Sequence, residues 1–162
     1  MPITPFHFGP GALLQSAAPG HVSFIAFCTA NVLIDCESLY NLQRGNDQVH
    51  AFFHTYIGAT LVIAATWLLY KALYGLAQRI RLPNLFGWQS LQSRQVLTGA
   101  ALGAYSHIVL DSIMHSDIRP WRPFSDANGL LHAIPLDWLH LACLAAGVLG
   151  LLISMTRWFF RG

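Results

Sequence analysis

The sequence predicts an all-α, integral membrane bundle of about four transmembrane helices, preceded by a short N-terminal helix that is re-entrant or interfacial. Three observations predict it. Hydrophobic residues make up 54% of the chain and charged residues only 10%, against about 25% charged in an ordinary soluble domain. The mean hydropathy is +0.47. The apolar residues also fall into long runs separated by short loops marked with Pro, Gly, Asn and Arg. No internal repeat or composition break divides residues 1–162, so one domain is expected.

Taken in order, residues 5–18 form an apolar piece broken by Gly9-Pro10-Gly11 and closed by Pro19-Gly20. It is shorter than the roughly 20 residues that cross a bilayer, hence the re-entrant or interfacial reading. A second helix is expected from Val22 to Ile34, ending at Asp35-Cys36-Glu37, with a polar loop around Arg44-Gly45-Asn46-Asp47. His50-Ala-Phe-Phe-His54-Thr55 reads as the opening of a third helix reaching Ala77, and residues 78–95 as the main polar loop. Residues 95–116 form the fourth helix and Pro135 to Phe160 the fifth, joined by a loop containing Pro120, Pro123 and Asn128-Gly129.

Composition also excludes classes of function. A net charge of +2 without a basic, aromatic-studded stripe argues against nucleic acid as a structural partner. Cys28, Cys36 and Cys143 have no metal-like spacing and imply no disulfide framework. The first residues lack a positive region, so no cleavable signal peptide is expected.

The chemistry concentrates at one end. His107, Asp111 and His115 recur every four residues in an apolar helix, which aligns them on one stripe. Imidazole and carboxylate there pack poorly but suit a metal ion; a buried His–Asp hydrogen bond without metal is the other reading. Antiparallel neighbours bring Asp35, Glu37, His50, His54, Asp137 and His140 to the same end, and His7 joins if the first helix dips and returns. With His132 in the loop after the fourth helix counted, seven of the eight histidines then share one end, His21 being the exception. An uncompensated Asp near mid-membrane costs about 2.5–3.5 kcal/mol on insertion scales. Asp35 and Asp111, read near the C-terminal ends of their helices, are also disfavoured there by about 0.3–1 kcal/mol from the dipole. A divalent cation where those helix ends meet offsets both penalties. The far end carries Lys71, Arg79, Arg81, Arg94, Arg157 and Arg161 against Arg44, Arg119 and Arg122 near the histidines. By the positive-inside rule the histidine end then faces away from the cytoplasm.

His7, Asp35-x-Glu37, His50-x₃-His54-Thr55 and Gly103-x₃-His107-x₃-Asp111 followed by Pro120-x₂-Pro123-Phe124 resemble the membrane-bound, metal-dependent hydrolase family that includes the LexA-regulated inner-membrane hydrolase-like proteins. The match spans about residues 5–125. It differs in a tighter His50–His54 spacing without Arg-Gly and in Ile34 where the family has Pro. The resemblance implies a bacterial inner-membrane location and His7, Asp35, His50, His54, His107 and Asp111 as metal ligands. His115 lies outside the family motif and reads as a ligand of a second ion or a substrate contact. One or two ions are expected, zinc first and manganese or magnesium as alternatives. The His-x₃-Asp spacing is also similar to that of zinc phospholipases C and related nucleases, which cleave phosphodiesters.

The resulting expectation is hydrolysis of a lipid or phosphoester by a metal-activated water near the membrane face. Glu37 or Asp117 reads as general base, and Arg119, Arg122 and Arg44 as holders of a phosphate or headgroup. Asp137 and His140 read as partners orienting a ligand imidazole, and Cys36 as a small membrane-buried hydrophobe. Ser106, Ser112 and Ser116 lack the setting of a nucleophile. Two competing classes use the same residues: a metal transporter or sensor, and a haem protein with two axial histidines. Haem leaves the aspartates unexplained.

Overall fold

The computed structural model describes residues 5–160; Arg161, counted above with the far-end cations, lies outside them. The chain is 73% helical, with no strand among the described residues. Five α-helices follow one another: α1 (Phe8–Ala17), α2 (Phe24–Arg44), α3 (Tyr56–Ile80), α4 (Ser93–Met114) and α5 (Leu136–Phe159). Short 3-10 turns at Pro5–His7 and Phe52–His54 lead into α1 and α3.

Helix boundaries follow local chemistry. Ser23 caps α2 by accepting the Ala26 amide at 3.2 Å, and Gly45 ends it at a left-handed φ of 70°. Thr55 caps α3 by accepting the Gly58 amide at 2.9 Å. Gln92 and Gln95 form a reciprocal capping box at the start of α4.

Three of the boundaries differ from the sequence-based expectation. α2 continues to Arg44, so Asp35 and Glu37 stand within the helix rather than at its end. The helix dipole therefore exacts nothing from Asp35, although it still acts on Asp111 close to the end of α4. α3 begins at Tyr56, leaving His50 in a loop and His54 in the 3-10 turn. α4 stops at Met114, and His115 is its C-terminal cap in extended backbone.

Among the described residues three helices are long and apolar enough to cross a membrane: α3, α4 and α5. α2, expected as a fourth span, has the length but buries Asn31, Asp35, Ser38 and Asn41 along its inner face. α4 is the central helix, with 56% of its most apolar window buried, against 22% for α3 and 17% for α5. It packs between α2 and α3, while α1 lies against α5. The shared core is Ala26, Ala30 and Ile34 of α2, Ala59 and Val62 of α3, and Val96, Ala100, Ala104 and Ile108 of α4. Small residues let these backbones approach closely, as membrane helices do. At Gly103 an added Cβ would lie 2.5 Å from the Phe27 carbonyl oxygen, and at Gly9 one would lie 1.9 Å from that of Cys143. The first contact seats α2 on α4 and the second seats α1 on α5.

Candidate metal centre

Gly103 also sets the first ligand. Because α2 approaches so closely there, Asn31, one turn after Phe27, reaches His107, one turn after Gly103. The Phe27 carbonyl can only accept, so it takes a hydrogen bond from the Asn31 amide nitrogen at 2.8 Å. Asn31 Oδ1 is then left to accept from His107 Nδ1 at 2.9 Å. His107 therefore carries its proton on Nδ1 and turns the lone pair of Nε2 inward.

Three other side chains meet that lone pair. Asp35, one turn beyond Asn31, places Oδ1 3.4 Å from His107 Nε2 and 4.0 Å from His54 Nε2. Asp111, one turn beyond His107, places Oδ2 3.2 Å from His107 Nε2 and 3.4 Å from His54 Nε2. The two Nε2 atoms are 3.3 Å apart. One ligand atom from each of Asp35, His54, His107 and Asp111 lies within 4.8 Å of every other, and all four residues are buried. Four donors about 2.0–2.1 Å from a tetrahedral zinc stand about 3.3–3.4 Å from one another. Four of the five spacings above match that figure, and the Asp35–His54 distance is longer.

Charge leads to the same reading. Burial pushes His54 down to about 4 against the opposing hydrogen bond from Asp111, so its ring is neutral at neutral pH. Asp35 and Asp111 are 5% and 2% exposed, and none of the ion pairs among the described residues joins either to a Lys or Arg. Two buried carboxylates require positive charge beside them: a divalent cation supplies it with both imidazoles neutral, and a His107 protonated on both nitrogens supplies part of it without one. The cluster can hold a metal ion.

His7 enters from the turn before α1. Its Nε2 lies 3.0 Å from Asp111 Oδ1, yet the pair lacks hydrogen-bond alignment, and both atoms are buried without another partner. Its ring stands edge-on to that of His107, centroids 4.5 Å apart. His50 and His115 stack with centroids 4.2 Å apart, and His50 sits edge-on to His54 at 4.7 Å. The other six residues expected as ligands thus gather around Asp111.

The other predicted residues have different surroundings. Glu37 accepts the Phe52 amide at 3.1 Å and the Phe53 amide at 2.6 Å, which fastens the His54 turn to α2. Asp117 accepts the Val49 and His50 amides at 3.2 and 3.0 Å and pairs with His50 Nδ1 at 2.9 Å. Burial opposes its charge, but these His50 contacts hold its carboxyl below the usual range. Arg122 donates to Asp126 at 2.5 Å and to Gln48 at 3.0 Å, beside a cleft of about 290 Å³ that it lines with Gln48, Phe52 and Thr55. Arg119 donates to the carbonyls of Ser116 and Ile118 within its own loop. Arg44 lies over the Tyr40 ring, 5.3 Å from its centroid. His140 stacks on Phe6 at 4.6 Å, Asp137 is exposed, and Cys36 lies on the exposed outer face of α2. Asn31 is the functional residue that sequence reasoning missed. Its signal was present: Asn31-x₃-Asp35 on α2 repeats the step of His107-x₃-Asp111 on α4.

Comparison of the chain with protein-family models, with curated proteins and with solved structures finds no match.

Proposed function

We propose that this chain is a membrane-bound metal-dependent hydrolase of the family its motifs resemble, acting on an ester or phosphoester of a lipid or lipid-like substrate. One observation carries the reading: four buried donor atoms from α2, α4 and the turn before α3 converge at the spacing of a tetrahedral metal site. Asp35, His54, His107 and Asp111 hold the ion, zinc first and manganese or magnesium as alternatives. When bound, the ion would supply Lewis acidity, and with four protein donors it would take up and activate a water only by opening a fifth position or releasing one donor. Asn31 orients the His107 ring, and Glu37 holds the turn that presents His54. In this reading Glu37 and Asp117 position ligands instead of taking the proton, since their oxygens are engaged with amides and with His50. Arg122, at the cleft beside Thr55, offers its guanidinium to a phosphate in exchange for Gln48. Arg119 and Arg44 serve their own loop and helix.

The same proposal places α2 as a fourth span and α1 as a re-entrant helix in a bacterial inner membrane. The site then faces away from the cytoplasm, because Lys71, Arg79, Arg81, Arg94 and Arg157 lie toward the other end.

The test is metal analysis and hydrolysis by protein purified in detergent. Bound zinc or manganese with cleavage of a chromogenic phosphodiester or a phospholipid is expected. Asp111→Asn should lower both metal content and turnover at least about 1,000-fold. Full metal content and activity in that variant would overturn the assignment. Bound metal with no turnover on an ester and phosphoester panel would favour the transporter or sensor class, and a Soret band would favour haem.

A further inference from the structure

We infer a second metal position on the His50–His115 side of Asp111, held by His50, His115 and Asp111, so that Asp111 bridges two ions. The inference rests on the first set being a metal site. One ligand atom from each of these three residues lies within 4.8 Å of the other two. Asp111 appears in both groups. Its Oδ2 faces His54 and His107, and its buried Oδ1 lies 3.0 Å from His7 Nε2 without hydrogen-bond alignment.

His50 supplies the independent observation. Its residue is 4% exposed, and its Nε2 is buried with no partner. Asp117 makes that atom a donor to metal. An ionised carboxylate only accepts, and both its oxygens lie 2.9–3.0 Å from His50 Nδ1, so the proton sits on Nδ1 and the lone pair on Nε2. Asp117 also accepts the Val49 and His50 amides, which fixes ring and backbone together. A carboxylate holding the far nitrogen of an imidazole is the usual support of a metal-binding histidine. Asp117 sits six residues past Asp111, where the chain leaves α4 and turns back past His50. Asp117 is thus a positioning residue for the second ion. With one shared carboxylate against two, this position binds more weakly than the first.

The test is a titration of metal-stripped full-length protein in detergent with Mn²⁺ alone, read by equilibrium dialysis and electron paramagnetic resonance. Wild type should bind two ions per chain and show an exchange-coupled dimanganese signal. His115→Ala should bind one ion and lose the coupling. Asp117→Asn should still reach two ions, with the second bound about 10–100-fold more weakly, and Asp117→Glu should recover part of that loss. The wild-type signal needs no variant to fold. Saturation at one uncoupled ion, abolished by Asp35→Asn, overturns the second position and leaves the first standing. Two coupled ions in His115→Ala also overturn it. No bound ion in wild type removes both readings.

Discussion

α4 and α5 are both apolar helices of membrane-spanning length, 22 and 24 residues, yet they sit in opposite settings. α4 lies at the centre and places Gly103, Ala104, His107, Ile108 and Asp111 in contact with its neighbours. α5 buries only Leu139, Cys143 and Gly150, and leaves Leu141, Leu144, Val148, Leu151, Leu152 and Met155 exposed. In water such a surface is a liability, whereas lipid chains cover it without cost. Apolarity therefore suits both helices to a membrane, and side-chain size decides which becomes the axis. A centre built on small residues is also where buried polar groups find partners, and two of the four candidate ligands, His107 and Asp111, stand on α4.

The contrast can be broken most sharply at Gly103. Gly103→Leu must displace the Phe27 backbone, and we expect it to cost at least about 3 kcal/mol, read as loss of the thermal transition in detergent. Chelation should have the next largest effect. An ion at 1,000 times its Kd adds about 4 kcal/mol to the folded state. Stripping the metal should lower the melting temperature of wild type and leave Asp111→Asn unmoved; equal shifts in both would mean that the ion acts elsewhere. Asn31→Leu removes the acceptor that fixes the His107 tautomer, and metal affinity should fall about 10–100-fold while the helix content by circular dichroism holds. Glu37→Gln keeps shape but sets an –NH2 donor against one of the two amides and loses that bond, for a loss of about 1–3 kcal/mol at unchanged metal stoichiometry. On α5, Leu149→Ala, half exposed, should stay within about 0.5 kcal/mol of wild type in the same melt.

Much of this was legible in the residues. The α4 stripe and the clustering of ligands at one end follow from helical period and antiparallel order, both local or nearly so. The reach of α2 was not. Asp35-Cys36-Glu37 reads as a membrane boundary, but those carboxylates face protein, and Asn31, Ser38 and Asn41 continue the same inner face. Nor could the sequence show that His50 and His54 precede α3. That turn is shaped by Glu37, 15 and 16 residues earlier, and by Asp117, 67 residues later. Contacts of that range leave no periodic trace. The orienting role of Asn31 depends on the close approach at Gly103 in the same way.

The dispersion of the ligands also sets an order of events in biogenesis. His7, Asp35, His54, His107 and Asp111 come from four segments separated by more than half the chain. During synthesis Asp35 enters the membrane region long before Asp111 exists to share an ion with it. If the proposed ion binds, no partial chain can load it at the first position, and ion capture would then close assembly by tying α2, α4 and the turn before α3 together after insertion. Pulse-chase labelling should therefore find that metal-starved cells accumulate an inserted, protease-sensitive chain that matures when the ion is restored.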